Sequence, residues 1–363
     1  MKNQVTLITV CLSFMSLTLS AAIITVSNNS DSPGQYTNLQ TAIDAAAFND
    51  TILVAGSTTS YGNISFGKPL VLIGAGYNNQ YGSNSTVGSV TLTRQTYYVS
   101  ASGSKIMGLN ISSVNLNGIY SGGTASSQTI DNTVFERCKI SSFTFGYYTS
   151  TGTYSGDTIR NCLIESGVAF SYNVNYGLIQ YLNNIFIHNN IFNGGYFRMT
   201  FNSTIGNLST FFVKNNLFLN KTTDCLMGVQ NMIIENNIFY GSEPQGGTGC
   251  VFSKNLTYMC VNNTIPGTGN LGSGNKVDQN PLFVNVPPAG GFSYSYDYHL
   301  QAGSPGKNSG TDGTDIGIYG GMMPFEVGAN PYIPQMMETT LPSGSSVPAG
   351  GTLNVHFKAK KQN

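Results

Sequence analysis

The chain has no tryptophan, and charged side chains make up only 9% of its 363 residues, against roughly 25% in an average globular protein. Hydrophobic residues still account for 40%, so a full core is available while the surface must be polar without being charged. Sixteen basic residues balance sixteen acidic ones. No net field favours a phosphate backbone or an anionic bilayer, and nucleic acid is not an expected partner. Cysteine is sparse and no C-x-x-C pair occurs, which removes the common zinc frameworks. Beyond residue 22 no stretch approaches the ~18 apolar residues needed to cross a bilayer, so no transmembrane segment is expected in the mature chain.

Residues 1–22, MKNQVTLITVCLSFMSLTLSAA, combine a basic Lys2, an apolar stretch from Val5 to Leu19, and small Ser20, Ala21 and Ala22 where a peptidase cuts. This is the pattern of a secretory signal. Cys11 lies inside the apolar run rather than at its end, against a lipoprotein. The expected mature protein is exported, extracellular or on the cell surface. It keeps Cys138, Cys162, Cys225, Cys250 and Cys260, an odd number that leaves at least one free thiol.

What the chain has in abundance is one phrase. NNIFIHNNIFNG at 183–194 is echoed by FFVKNNLFLN at 211–220 and MIIENNIFYG at 232–241. Aligned on the second Asn, the column reads Asn190, Asn216, Asn237 and Asn263, and continues upstream through Cys162, Cys138 and Leu109. From Cys138 onward the intervals are 24, 28, 26, 21 and 26 residues, the length of one coil of a parallel β-solenoid. Alternation then points Ile159, Ile187, Val213 and Ile234 inward in one column, and Ile164, Phe192, Phe218 and Phe239 in another. Asn tolerates the left-handed backbone a sharp corner requires. Stacked at about 4.8 Å, its amides can hydrogen-bond along the stack, which gives the repeat a structural role.

The period and the IENNIFYG motif resemble the right-handed parallel β-helix proteins of the pectate-lyase-like superfamily, in particular bacterial secreted proteins with degenerate β-helix repeats. The resemblance covers residues ~30–325 and supplies the handedness. It implies an all-β fold: a single-stranded right-handed parallel β-helix over 23–325 with an N-terminal capping helix near 37–48; beyond it the residues themselves read as a Pro/Gly-rich β tail over 326–363. Leu39, Ala42, Ile43 and Ala46 share one face of that helix, before a first strand at Thr51–Val54. NPLFVNV and YDYHLQAGSPGKNSGTDGTDIGIYGG resemble the last coil and closing loops of such proteins. In the tail, Gln335–Leu341 and Thr352–Ala359 alternate and can pair as two strands.

One column invites chemistry. Before the Asn pair stand Glu136, Arg160, His188, Lys214 and Glu235, pointing outward. In the polysaccharide lyases of the resemblance a base removes a proton beside a uronate while a cation or metal stabilises the developing charge, and Arg160, His188 and Lys214 are of those types. The stronger reading is a solvated ladder, since opposite charges stand on neighbouring rungs, Glu136 beside Arg160 and Lys214 beside Glu235. The ligand-binding candidates are Arg160, His188, Lys214 and Glu235, joined by Tyr172 and Tyr196 from a tyrosine-rich middle, whose rings suit sugar faces. No catalytic residue is assigned. The paired aspartates, G-H-G and R-I-K of the polygalacturonase-type hydrolases are missing, as is an acid cluster for calcium. No cofactor or metal is expected, calcium being an unsupported alternative; Asp312 and Asp315 could hold a cation with backbone carbonyls, but such a run more often is a turn that ends a strand. Cys138 and Cys162 stack on neighbouring coils, as a disulfide or as two thiols.

The reading that results is a non-catalytic scaffold binding polysaccharide or a cell-surface component. A polysaccharide lyase or glycoside hydrolase, and a structural spacer or adhesin, remain as alternatives.

Overall fold

Short runs of alternating apolar residues, broken every few positions by Asn or Gly, are too brief for helices and bury themselves only by stacking on their own copies. The computed structural model describes residues 21–78, 83–96, 98–117, 128–146, 152–170, 180–199, 211–220, 223–288, 290–327, 335–340, 350–352 and 355–360. Two long parallel sheets dominate. Ten strands, from Ile23–Val26 to Val251–Ser253, form the first. Eleven belong to the second, whose main path runs from Ile64–Phe66 to Leu256–Tyr258. A narrow third sheet pairs Gln128–Thr129, Gly152–Ser155 and Gln180–Asn183. The chain visits third, first and second sheets in turn, as in 152–155, 158–160 and 163–170. It is an all-β parallel β-helix, with both expected core columns buried.

Each coil has two corners held by a left-handed residue. Between third and first sheets stand Gly103, Asn132, Gly156, Asn184, Asn231 and Gly249. Between first and second stand Gly108, Arg137, Asn161, Asn189, Asn215, Asn236 and Lys254. These are the residue types for which positive φ is least costly, apart from Arg137 and Lys254.

The Asn doublet thus divides its work. The first Asn bends the chain, and the second turns inward to build the ladder. Asn190, Asn216 and Asn237 accept from the preceding rung through Oδ1, the N–H groups of Cys162, Asn190 and Asn216 lying at 2.9, 3.0 and 2.9 Å. Their Nδ2 groups donate to the carbonyls of Ile159, Ile187 and Val213 at 2.9, 2.9 and 2.8 Å. The fourth rung is not Asn263, as the spacing suggested, but Asn255, followed by Asn275. Asn255 sits behind Lys254, which takes the left-handed place of the first Asn. Asn263 is half-exposed and bonded to Cys260 and Asp278.

The N-terminal cap is the helix Leu39–Ala45. Asn38 caps it by accepting from Thr41 N–H at 2.9 Å, and Leu39, Ala42 and Ile43 enter the core. Thr51–Val54 is a strand as expected, yet not the first, because Ile23–Val26 pairs with it in parallel. All five described cysteines are free thiols, Cys138 and Cys162 among them.

The segment expected to complete and close the last coil does something else. Phe283–Asn285 pairs antiparallel with Asp297–Leu300, and the chain then climbs back along the outside of the helix as a strap. Thr311 meets Asn236 at 2.9 Å, Gly317 O and Ile318 O accept from Asn215 and Asn189 at 3.2 and 2.8 Å, Met323 O from Asn161 at 3.3 Å. Glu326 ends the climb on Arg137 at 2.7 Å. Gly320 permits the approach: a Cβ there would lie 2.6 Å from Asn215 Nδ2. Underneath, Leu163, Ile191, Leu217, Ile238 and Leu256 on the outer side of the second sheet join Phe283, Tyr298, Leu300, Ile316, Ile318 and Phe325 in a second hydrophobic layer. Under the strap, from Leu163 to Leu256, this sheet is therefore buried on both faces, which explains apolar triplets such as Leu217–Leu219. In the tail, Gln335–Thr340 and His356–Lys360 pair antiparallel, close to the expected bounds.

Candidate functional site

The first sheet leaves one wall uncovered by the strap. Register places Glu136, Arg160, His188, Lys214 and Glu235 side by side there on successive strands. Arg160 Nη2 reaches Glu136 at 2.7 Å, and Lys214 Nζ reaches Glu235 at 2.9 Å, the opposite-charge pairing that neighbouring strands favour. Glu136 departs from the expectation of an exposed column. It is 2% exposed, closed in by Arg160 and by Arg137, whose Nε lies 3.6 Å away.

His188 sits between the pairs. Asn189 donates both amide hydrogens to the strap, to Ile318 O and Gly320 O at 2.8 Å each, so its Oδ1 is the acceptor facing His188 Nδ1 at 2.9 Å. That network assigns the imidazole proton to Nδ1 and leaves the Nε2 lone pair for a donor from outside. Burial lowers the His188 pKa; Arg160 and Lys214 push the same way, while Asn189 and Glu136 oppose. The ring is neutral at neutral pH.

Two residues upstream in the same strands lies a feature the sequence reading missed. The outward positions Val134, Thr158, Phe186, Phe212, Ile233 and Val251 form a second column. Phe186 and Phe212 stack at 5.1 Å with planes 9° apart, and Lys214 Nζ lies 4.8 Å from the Phe212 centroid. Phe186 is 38% exposed. On its other side the neighbour in register is the small Thr158, so the stacked pair forms a partly exposed apolar ledge on the wall. The signal was present in IFIH and FFVK: a residue two positions before an outward His or Lys also points outward.

The other candidates lie elsewhere. Tyr172 is outside the described residues. Tyr196 belongs to the second sheet, in register with Gly167, and does not join the wall. Tyr154 is a core residue whose hydroxyl donates to Leu116 O at 3.1 Å. Asp315 is engaged by Lys307 at 2.9 Å, and Asp312 accepts from Thr314, so both serve the strap's turns. His299 pairs with Asp297 at 2.6 Å and stacks on Tyr319. Among the described residues no group of three or more His, Cys, Asp or Glu is placed to hold a metal ion.

No family model matches the chain, and no curated protein matches it. Similar solved structures include a pectin methylesterase from Aspergillus niger, 15% identical over 70% of this chain and 85% of that one, with a TM-score of 0.33. A pectate lyase is 13% identical over 82% and 96%, with a TM-score of 0.38. A lacto-N-biosidase from Eubacterium ramulus is 8% identical over 71% and 68%, with a TM-score of 0.28. At such scores the likenesses decide neither activity nor substrate, and the fold rests on the strand register itself.

Proposed function

We propose that this chain is an exported, non-catalytic β-helix that binds an extended neutral polysaccharide along the outer wall of its first sheet. The single observation that carries the reading is the stacked, solvent-facing Phe186–Phe212 pair beside the His188 imidazole. An aromatic ledge next to a neutral acceptor suits a polymer with apolar ring faces and hydroxyl donors. Charge selects among polymers. Arg160 and Lys214 are each held by a carboxylate of the same column and His188 is neutral, so the charges beside the ledge are paired; the exposed Lys105, in register with Val134, lies three strands away from Phe186. The same pairing leaves no cation poised to stabilise an enolate.

The test is affinity electrophoresis of the full chain through gels containing neutral polymers (galactan, xylan, glucomannan) and acidic ones (polygalacturonate, alginate). Retardation is expected in at least one neutral gel, with the double substitution Phe186→Ala and Phe212→Ala weakening it by roughly tenfold. Equal retardation by the double variant would move the site off this wall. Ultraviolet-absorbing unsaturated products from the acidic polymers would replace binding with lyase chemistry.

A further inference from the structure

A second concavity lies away from the first-sheet wall, at the ends of second-sheet strands where the strap leaves the last coils. It encloses about 210 Å³ between the strand ends Tyr240 and Tyr258 and the antiparallel pair that opens the strap. Its floor is aromatic. Tyr240 and Tyr258 have centroids 6.0 Å apart, Phe283 packs on Tyr240 at 5.4 Å, and Tyr298 backs Phe283 edge-on at 5.6 Å. Its rim is polar and uncharged. Asn280 spends Oδ1 on Leu282 N–H at 2.9 Å, and Gln301 spends Nε2 on Phe283 O at 2.9 Å. The Asn280 amide nitrogen, the Gln301 amide oxygen and the Tyr258 hydroxyl stay open to solvent at the exposed rim, where a ligand can take the place of water.

We infer that this pocket is a binding site for a single neutral sugar ring, such as the end of a glycan chain, separate from the first-sheet wall. Size sets the scale, since drug-sized ligands occupy roughly 300–1,000 Å³ and this pocket holds one ring. The floor offers tilted aromatic faces to the apolar side of a pyranose. The rim offers a donor, an acceptor and a hydroxyl of either sense, the complement of vicinal hydroxyls. No Lys, Arg, Asp or Glu lines it, so a uronate or a phosphate would lose its hydration without a counter-charge. A purely apolar ligand would leave the rim's hydrogen-bonding groups unused.

The site is read by saturation-transfer NMR on the full chain with D-galactose, D-glucose, D-xylose and D-galacturonate, each at about 20 mM, because one ring binds weakly. At least one neutral sugar is expected to receive saturation and galacturonate none. Tyr258→Phe, which removes only a hydroxyl, should cut the effect at least about threefold, and Gln301→Ala at least about fivefold. The Phe186→Ala, Phe212→Ala double variant should retain it in full, which separates this site from the wall whatever the fate of that reading. Melting curves identify a variant that fails to fold, and Tyr258→Phe then decides alone. No transfer to any neutral sugar, transfer unchanged by Tyr258→Phe, or galacturonate matching the best neutral sugar would overturn the assignment.

Discussion

Asn216 makes the cost of the ladder measurable. It is fully buried and accepts from Asn190 N–H while its amide donates to Ile187 O and Asn237 Oδ1. Asn216→Ala strands donors and acceptors on both neighbouring rungs and should cost roughly 3–5 kcal/mol in urea unfolding. Asn263→Ala, off the ladder and half-exposed, should cost less than about 1 kcal/mol. A second residue links stability to pH. Asp157 is buried at the other corner, accepts from Thr133 N–H and Oγ–H, and keeps Oδ2 without a partner. Burial, only partly offset by the Thr133 hydrogen bonds, pushes its carboxyl up to about 8. A raised acid pKa means that the unfolded chain releases this proton first. Its contribution is intact below the unfolded value near 3.8 and is lost as pH rises toward 8. Asp157→Asn keeps an acceptor for Thr133 and removes the charge. It should raise stability at pH 7 on the order of 2 kcal/mol and leave it nearly unchanged at pH 4; equal effects at both values would show that the carboxyl titrates normally.

Among the elements, the strands and corners were largely legible, because each repeats its own chemistry every coil. Isoleucine and phenylalanine columns announced the interior, and the alternating tail announced its hairpin. The strap was not legible, since it shares no period with the coils. Its partners are single amides of Asn161, Asn189, Asn215 and Asn236, all of which the corner already explains, and the residues that meet Asn161, Asn189 and Asn215 lie 100 or more positions away. The ladder was misread at one rung for a related reason: VNNT imitates the doublet, whereas the true rung stands behind Lys254. Phe186 and Phe212 were passed over because aromatic residues in a strand suit the core equally well. The strap can be tested by crowding its closest approach. Gly320→Ala places a methyl 1.8 Å from Asp315 O and 2.6 Å from Asn215 Nδ2, so it should detach residues 306–326. The expected result is new cleavage by a nonspecific protease within that segment and a loss of roughly 2–3 kcal/mol; unchanged cleavage would mean that the strap tolerates displacement.

At the scale of the molecule, the balance of sixteen positive and sixteen negative side chains reappears locally as the paired charges of the first-sheet wall. Binding governed by ring contacts and hydroxyls should be nearly insensitive to ionic strength. Raising sodium chloride from about 0.05 to 0.5 M should change the affinity for a neutral polymer by less than about twofold, whereas a steep salt slope would indicate an ionic ligand. Both proposed sugar sites lie on surfaces that stacking creates, one on the flank of several coils and one where the strap departs.

The direction of the strap carries a last implication. Synthesis runs from the coils to the strap, but fastening runs the other way, from Asn236 to Asn161 and finally Arg137. The coils from Leu163 onward emerge with a greasy flank and are sealed only by the strap, which is made after them. A chain interrupted before Glu326 would hold its finished coils with the seam undone.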